Sequence, residues 1–515
     1  MCRIKENWKF ILTISISIIC IVILSTYTLN VQKDTLTQKE LIGFISLIVV
    51  EAIIVVGSVL HIHNKHDIKH EQIFLYTVPI ICSLFILTMP IFKSHDEHAH
   101  WHRVYEISTG NITTDVNESG GTISVLPKSA VCEDWKLMNY GKVISDIKNK
   151  IDNNDVTDDV YIVSASMYSP LQYSHMSKIV AVARIFIKYP LILAYIARIA
   201  NMVICVILMF FSIKKIPFGK NILLSISYIP ILIEGISSIS GDGITFSVCL
   251  FFMAYLFNLV FNKDVKMITK KDKLVLVILS ILIASCKIVY LPIVGLIILI
   301  PKEKMSGKKE KTITISIIIA IAIFISASWL IYSSRYLQSL ANLSKLDVNT
   351  EERIIEIIKN PLSFVGRLLY NLEVNGSNYL KEMFGSGIGW CNFVSLNTII
   401  PYSFMAMFLL VALSDDFKNI KINKFQKCII SLIVVGIVTL IFVALYFQWT
   451  NNNIKSIDGV QGRYFIPLLP MAGILIASIK KIKLNVVGLN IPKIIAYVGM
   501  ILQFQFIMQV YISNI

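Results

Sequence analysis

Apolar runs long enough to cross a lipid bilayer recur from one end of this chain to the other, and they limit its possible folds more than any other feature. A helix of about 17–25 apolar residues crosses about 30 Å of hydrocarbon. Charged residues make up 16% of the chain, against about 25% in an ordinary soluble domain. The sequence therefore predicts an all-α integral membrane protein rather than a soluble enzyme.

The net charge of +15 raises the question of a nucleic-acid partner. Most Lys and Arg residues lie in short loops between the apolar runs, which is typical of the cytoplasmic loops of membrane proteins. We therefore predict no nucleic-acid partner. Basic residues before the first run place the N-terminus inside, and the alternation of loops places the C-terminus outside. The first run has no clear cleavage site, so we interpret it as a retained span rather than a signal peptide.

We predict about thirteen membrane crossings. The expected spans lie near residues 10–29, 41–60, 73–92, 190–213, 221–240, 244–261, 274–300, 312–333, 398–414, 427–447, 464–479 and 493–513. The run at 274–300 has lysine-rich loops on both sides, so it must cross an even number of times. We expect two short crossings that turn around Lys287, Tyr290 and Pro292, with the irregular backbone lining a polar cavity.

Two long polar stretches are expected outside the membrane, at residues 93–177 and 334–397. The first is rich in Asp, Asn, Ser and Gly, which indicates a partly ordered domain followed by an interfacial segment, Met176 to Tyr189. The second has isoleucines at helical spacing, and Asn360-Pro361 divides it into two interfacial helices. Cys132 and Cys391 fall in these loops, and a disulfide between them is one hypothesis.

The string from His95 to Arg103 follows the third span and is rich in titratable groups. In a helix, Asp96, His100 and Arg103 share one face. Asp96 and Glu97 could provide a general base or hold a divalent cation, and the histidines favour a metal. The candidate metal ligands are Asp96, Glu97, His98 and His100. The alternative is a helix start whose two acids complement the helix dipole. The residues do not decide between these hypotheses.

Further candidates lie in or beside the spans. Arg198 and Lys287 are intramembrane cations, which pair, line a pathway or extend to the interface. Asp242 stands between two glycines, where it is either functional or simply a turn residue. Arg463 follows Gly462, a setting that suits phosphate binding. Glu51 lies inside the second span, and the sequence offers no partner for it.

Seven blocks, in order, resemble a family of bacterial multispan membrane proteins, domain-of-unknown-function family 2142. The resemblance covers residues from about 75 to 480. The chain thus divides into an N-terminal two-span addition (1–72), a family-like core (73–480) and a C-terminal span (481–515). The blocks are Asp96-Glu97-His98-Ala99-His100-Trp101-His102-Arg103 with Gly110, Tyr168 to Tyr173, Ala197 to Asn201, Ser240 to Gly243, Lys287 to Pro292, Gly387 to Trp390, and Gly459 to Pro467.

The family in turn resembles the C-type glycosyltransferase superfamily of multispan enzymes. That resemblance implies transfer of a sugar from a polyprenyl-phosphate carrier to a cell-envelope acceptor, at the outer face of the bacterial cytoplasmic membrane. Asp96 would be the leading catalytic carboxylate, with Glu97 beside it. The substrate-binding residues would be His100, Arg103, Arg198, Asp242, Lys287, Tyr290, Trp390, Gln461 and Arg463, with Lys287 and Arg463 on the donor phosphate.

Some expectations stay open. His98 and His102 depart from the simplest family pattern, which weakens a metal role for them. The sequence identifies no cofactor with certainty, and a divalent cation is one hypothesis. The alternative functions are a transporter or flippase of lipid-linked saccharides, or a polysaccharide polymerase. The chain shows no paired repeats of the kind many transporters have.

Overall fold

The computed structural model describes residues 38–514, except for 66, 117–121, 133, 158–162, 337–349, 390–398, 416, 418–419, 452–454 and 480–489. The first predicted span, at 10–29, and Cys391 of the hypothetical disulfide lie outside the described residues. The described part is almost entirely helical. Its only strands are two short antiparallel pairs, Asp115–Val116 with Thr122–Ile123 and Leu126–Pro127 with Val156–Thr157.

Eighteen α-helices are described, and they are numbered here in chain order. They are α1 Gln38–Asn64, α2 His70–Thr88, α3 Glu97–Ser108, α4 Tyr140–Asp146, α5 Val163–Ser166, α6 Pro170–Phe186, α7 Pro190–Lys215, α8 Lys220–Ile226, α9 Pro230–Ser237, α10 Gly241–Phe261, α11 Lys270–Cys286, α12 Lys308–Ser333, α13 Thr350–Lys359, α14 Pro361–Met383, α15 Ile399–Ser414, α16 Lys424–Gln448, α17 Leu469–Ala477 and α18 Ile491–Ile512.

Seven of the described helices are long and apolar enough to cross a membrane, or eight if α8 and α9 are counted as one bent span. Three shorter apolar helical segments accompany them, at Ile288–Leu299, Ile399–Ser414 and Gly462–Ala477. Large apolar side chains such as Leu87, Phe324 and Ile331 are at least 70% exposed. In a soluble monomer such surfaces would be an anomaly. An all-α membrane protein is confirmed, while the count of about thirteen crossings stays a prediction.

The run at 221–240 is not the single straight span expected from its composition. The helix axis bends by 71° between α8 and α9. Pro230 begins α9 and has no N–H to continue the hydrogen bonds of α8, so the helix breaks there. The amide of Gln503, on α18, donates to the Tyr228 carbonyl at 2.5 Å. The break leaves the Tyr228 carbonyl without a helical hydrogen-bond partner inside the bundle, and the Gln503 amide satisfies it.

The break predicted near Lys287 is confirmed. Helix α11 ends at Cys286, and Lys287 has extended backbone angles (φ −138°, ψ 123°). A 3₁₀ segment, Ile288–Leu299, follows and contains Pro292. The division of the second long polar stretch is also observed, since α13 and α14 meet at Asn360-Pro361. The predicted interfacial segment, Met176 to Tyr189, overlaps the end of α6, where Val182, Ile185 and Phe186 are exposed.

The two ends of the described chain lie together. Helix α1 packs against α18, and α18 also packs against α2. The Lys493 ammonium, in the first turn of α18, donates to the His63 and Lys65 carbonyls at 3.1 and 2.8 Å. These bonds fix the start of the last helix to the end of the first described one.

Candidate functional site

Asp96 is the N-cap residue of α3, and its backbone is left-handed (φ 54°, ψ 12°). Such a conformation is costly for a non-glycine residue, so its neighbours must hold it. On one side, the backbone N–H of His95 donates to Glu234 Oε1 at 3.0 Å, and the His95 ring lies 3.0 Å from the same atom. On the other side, Glu97 is anchored below the surface. The two anchors together fix the direction of the Asp96 side chain.

Glu97 and Arg198 form a fully buried ion pair. Arg198 Nε and Nη2 donate to the two carboxylate oxygens at 2.7 and 2.6 Å, and both side chains are 0% exposed. Glu97 also accepts from the backbone N–H groups of Phe92 and Ile239, at 2.8 and 2.9 Å. Arg198 donates further to the Met89 and Pro90 carbonyls. Because these bonds occupy both groups and no solvent reaches them, the pair holds the turn before α3.

A charged cluster forms where four distant parts of the chain meet; it consists of Asp96, Asp242, Lys287 and Arg463. Arg463 Nη2 lies 2.7 Å from Asp96 Oδ2, and its Nε lies 3.5 Å from Asp242 Oδ2. The Lys287 ammonium lies 2.6 Å from Asp242 Oδ1. The two acids and two cations alternate, so the cluster is close to neutral. Asp96 is its most accessible member, with 44% of its side chain exposed.

Tyrosine rings enclose the cations of this cluster. The Lys287 ammonium lies 4.9 Å from the ring centre of Tyr464 and 5.2 Å from that of Tyr168. Ring faces attract cations at these distances. The hydroxyl of Tyr290 donates to the Tyr464 carbonyl at 2.8 Å, which ties the 3₁₀ segment to the loop that carries Arg463. The cations are thus held in place around a partly open carboxylate.

The pKa of Asp96 is lowered from 3.8 to about 2. Burial acts to raise the pKa, but the Arg463 guanidinium, with His100 and His95 nearby, outweighs it. Asp96 is therefore ionised at neutral pH. Its affinity for a proton depends on whether Arg463 stays against it.

His100 lies on the Asp96 side of α3. Its Nδ1 is 2.7 Å from the Tyr173 hydroxyl, and it is 9% exposed. Burial lowers its pKa to about 4, even though Asp96 and Asp242 act to raise it. His100 is therefore neutral at pH 7, and its ring can form hydrogen bonds beside the cluster.

Other predicted substrate-binding residues are placed differently. Arg103 is fully buried; it pairs with Glu106 and donates to Thr114 Oγ1 and the Ile112 carbonyl, so it fastens the segment after α3. Gln461 stands two residues before Arg463, and its buried side-chain oxygen has no hydrogen-bond partner among the described residues. Trp390 lies outside the described residues.

The described residues contain no group of three or more His, Cys, Asp or Glu side chains that could hold a metal ion. The His98 ring stacks on Trp135 with centroids 4.2 Å apart, and His102 accepts from the Cys132 backbone N–H. These histidines attach α3 to the following polar segment.

The stacked histidine predicts a pH effect on stability. Burial lowers the pKa of His98 from 6.5 to about 3, with His102 contributing. The folded protein therefore loses stability as pH falls below about 6.5, and this loss continues toward pH 3. In His98→Phe, which keeps a flat ring on Trp135, we expect the fall in unfolding midpoint between pH 6.5 and 4 to shrink by a few °C. Thermal unfolding in lipid nanodiscs measures this. His61→Phe, at an exposed ring, is the control; an equal shrinkage there would contradict the prediction.

An apolar groove opens beside the charged cluster, between the 3₁₀ segment, α12 and α16. Its volume is about 540 Å³. The groove begins at Ile288, the residue after Lys287, and passes Gly295, Ala322 and Ala444, which are all small residues. Tyr290, on the same 3₁₀ segment, instead bonds to the Tyr464 carbonyl and lines a small pocket together with Asp242 and Arg463. One segment thus presents a polar side to the charges and an apolar side to the groove.

Three residues of this site were not among the sequence candidates: Glu234, Tyr168 and Tyr464. Glu234 is 2% exposed and lies inside the apolar run at 221–240. An acid within a membrane span is a signal of function, so the signal was present. The tyrosines lie in two of the family-like blocks, but the residue type alone does not indicate a site, because an aromatic ring is common at a membrane surface.

The fold and the charged cluster define a multispan helical membrane protein with a polar site beside an apolar groove. Residues 80–472 match the model of the family described as "Predicted membrane protein (DUF2142)". The match covers more than half of the chain, and the protein belongs to this family. No curated protein matches the chain, and no solved structure matches it.

Proposed function

We propose that this protein is a membrane glycosyltransferase, which moves a sugar from a polyprenyl-phosphate carrier to a cell-envelope acceptor at the outer face of the bacterial cytoplasmic membrane. One arrangement carries the proposal: Lys287 and Arg463 lie in one charged cluster with the partly exposed Asp96, and the lining of an apolar groove begins at Ile288, the residue after Lys287. A lipid phosphate has the matching parts, an anionic head and a long apolar chain.

The charges suit a transfer step. The donor phosphate binds Arg463 and Lys287 in place of their carboxylate partners. Asp96 then loses the guanidinium that lowers its pKa, and its affinity for a proton rises. The acceptor hydroxyl gives its proton to Asp96 while its oxygen bonds to the anomeric carbon of the sugar. The bond between that carbon and the phosphate oxygen breaks, and polyprenyl phosphate leaves with the electron pair, stabilised by the two cations.

The alternative function is transport of a lipid-linked saccharide. The groove and the cations would serve transport equally well, because both functions begin by binding the same lipid. The difference lies at Asp96. A transporter needs no proton acceptor beside the sugar, whereas transfer to a hydroxyl does.

The test is an assay of the protein purified in lipid, with a panel of polyprenyl-phosphate sugars. Release of polyprenyl phosphate that requires an added saccharide acceptor is the result expected for a transferase. Binding and transbilayer movement of the same lipids, without release at any acceptor, would instead establish the transporter and overturn the proposed transfer.

If the groove holds the lipid chain of the donor, filling it should affect long-chain donors more than short-chain donors. In Ala444→Trp the indole fills part of the groove without touching the charged cluster. We expect kcat/KM for a long-chain donor to fall about tenfold, since the displaced chain enters equally apolar lipid and loses only packing contacts. A short-chain donor should be affected much less. The control is Leu432→Trp, on the same helix at a position 62% exposed. Equal losses for both donors would show that the groove does not hold the chain.

A further inference from the structure

Glu51 is a buried acid that the charged cluster does not use. It lies in the middle of α1, inside a candidate membrane span, and is 1% exposed. Neither of its carboxyl oxygens has a hydrogen-bond partner among the described residues. Helix α1 also lies before the family-matched region, which begins at residue 80. The acid therefore lies outside the family-matched region, and the proposed transfer step makes no use of it.

A small cavity adjoins this carboxyl, between α1, α2 and α18. Its volume is about 20 Å³, and about 10–15 Å³ is enough for one water molecule. Glu51, Ser58 and Thr77 supply the polar groups of its wall, and the other residues that line it are apolar. A water molecule here could accept from a protonated Glu51 and donate to a hydroxyl.

The surroundings decide which form of the carboxyl is stable. Among the described residues, no positively charged one lines the cavity. On α2, Thr77 presents the polar group that faces the cavity. Its hydroxyl lies 2.6 Å from the hydroxyl of Tyr228. From α18 the facing residues are Met500, Phe504 and Ile507, none of which titrates. An ionised carboxylate without a cation is costly at membrane depth, whereas the neutral acid needs only one acceptor for its proton.

We infer that Glu51 is a proton-binding site: it holds its proton at neutral pH, and loss of that proton weakens the packing of α1 against α2 and α18. The ligand is the proton itself, since two hydroxyls and one carboxyl are too few oxygens for Ca²⁺, which takes six to eight, and the cavity has no His or Cys for Zn²⁺ among its described lining residues. The site is independent of the proposed function, because it shares no residue with the charged cluster or the groove.

Infrared spectroscopy of the protein in lipid tests the inference. At pH 7 the carbonyl stretch of a protonated carboxyl should be present, and the spectrum of Glu51→Gln should lack that band. The matched control is Glu71→Gln, in the first turn of α2, where the acid faces Lys220; it should leave the band in place. Absence of the band in the wild type, or its persistence in Glu51→Gln, would overturn the inference.

The pH dependence of the unfolding midpoint tests the second part of the inference, that loss of the Glu51 proton weakens the packing of α1. A group held protonated in the folded state contributes stability that is lost as pH rises through its titration. The unfolding midpoint of the wild type should therefore fall as pH is raised above neutral, and Glu51→Gln should show a smaller fall. Equal falls in the two proteins would mean that the proton does not hold α1 in place.

Discussion

Replacing Asp96 with Asn should lower kcat for sugar transfer by about 10²- to 10⁴-fold, the usual contribution of a general base. The amide keeps the size of the side chain but cannot take the acceptor proton. It also forms no ion pair with Arg463, which is then freer to bind the donor phosphate. We therefore expect the donor to bind as tightly as in the wild type, or more tightly. Acceptor-dependent release of polyprenyl phosphate measures the rate, and donor titration measures the affinity.

This division between rate and affinity separates catalysis from a structural role. If Asp96 served only as the N-cap of α3, its replacement would weaken donor binding and lower stability together, and it would leave kcat largely intact. Asp152→Asn, at an exposed acid in the polar segment, should change neither quantity. Transfer by Asp96→Asn at the wild-type rate would remove the carboxylate from the proposed chemistry.

Glu97→Gln should destabilise the protein by about 3–5 kcal/mol, the cost of breaking a buried ion pair and leaving one charge without its partner. The substituted amide would still accept a backbone N–H, but Arg198 would be a buried cation with no carboxylate. The effect should appear as a large fall in the unfolding midpoint and in the yield of folded protein. Activity should fall as well, because the turn that orients Asp96 depends on this anchor.

A second variant shows whether the charge or the packing is responsible. In Glu97→Gln with Arg198→Met no charge remains, and much of the lost stability should return. The comparison is the pair of Lys128 and Asp155, both 57% exposed. Removing that pair through Lys128→Met should cost at most about 1 kcal/mol. If the double variant is no more stable than Glu97→Gln, the burial of an unpaired charge is not the cause.

The sequence predicted the class of fold because hydrophobic length is a local property. The break at Lys287 was also predictable, since lysine-rich loops on both sides of one apolar run allow only an even number of crossings. The bend between α8 and α9 was not predicted. Its run is apolar throughout, and a proline in a membrane helix does not by itself show whether the helix kinks or breaks.

The candidate site was predicted as residues but not as contacts. Asp96 and Arg463 are 367 positions apart, and composition cannot show that they meet. Asp96 and Glu97 looked alike in sequence as neighbouring acids at a helix start. Asp96 precedes α3 with a left-handed backbone, whereas Glu97 is the first residue of the helix, so one acid reaches the cluster and the other reaches Arg198. The roles of the two acids depend on packing that only the folded chain shows.

The contact between the first and last described helices has a consequence for biogenesis. Lys493 bonds to the His63 carbonyl, a partner 430 positions earlier in the chain. Domains form as the chain is synthesised, in order from the N-terminus. Helix α1 therefore enters the membrane long before α18 exists, and one of its faces must lie in lipid or against other helices until α18 has been made. Helix α18 then completes the packing on that face of α1.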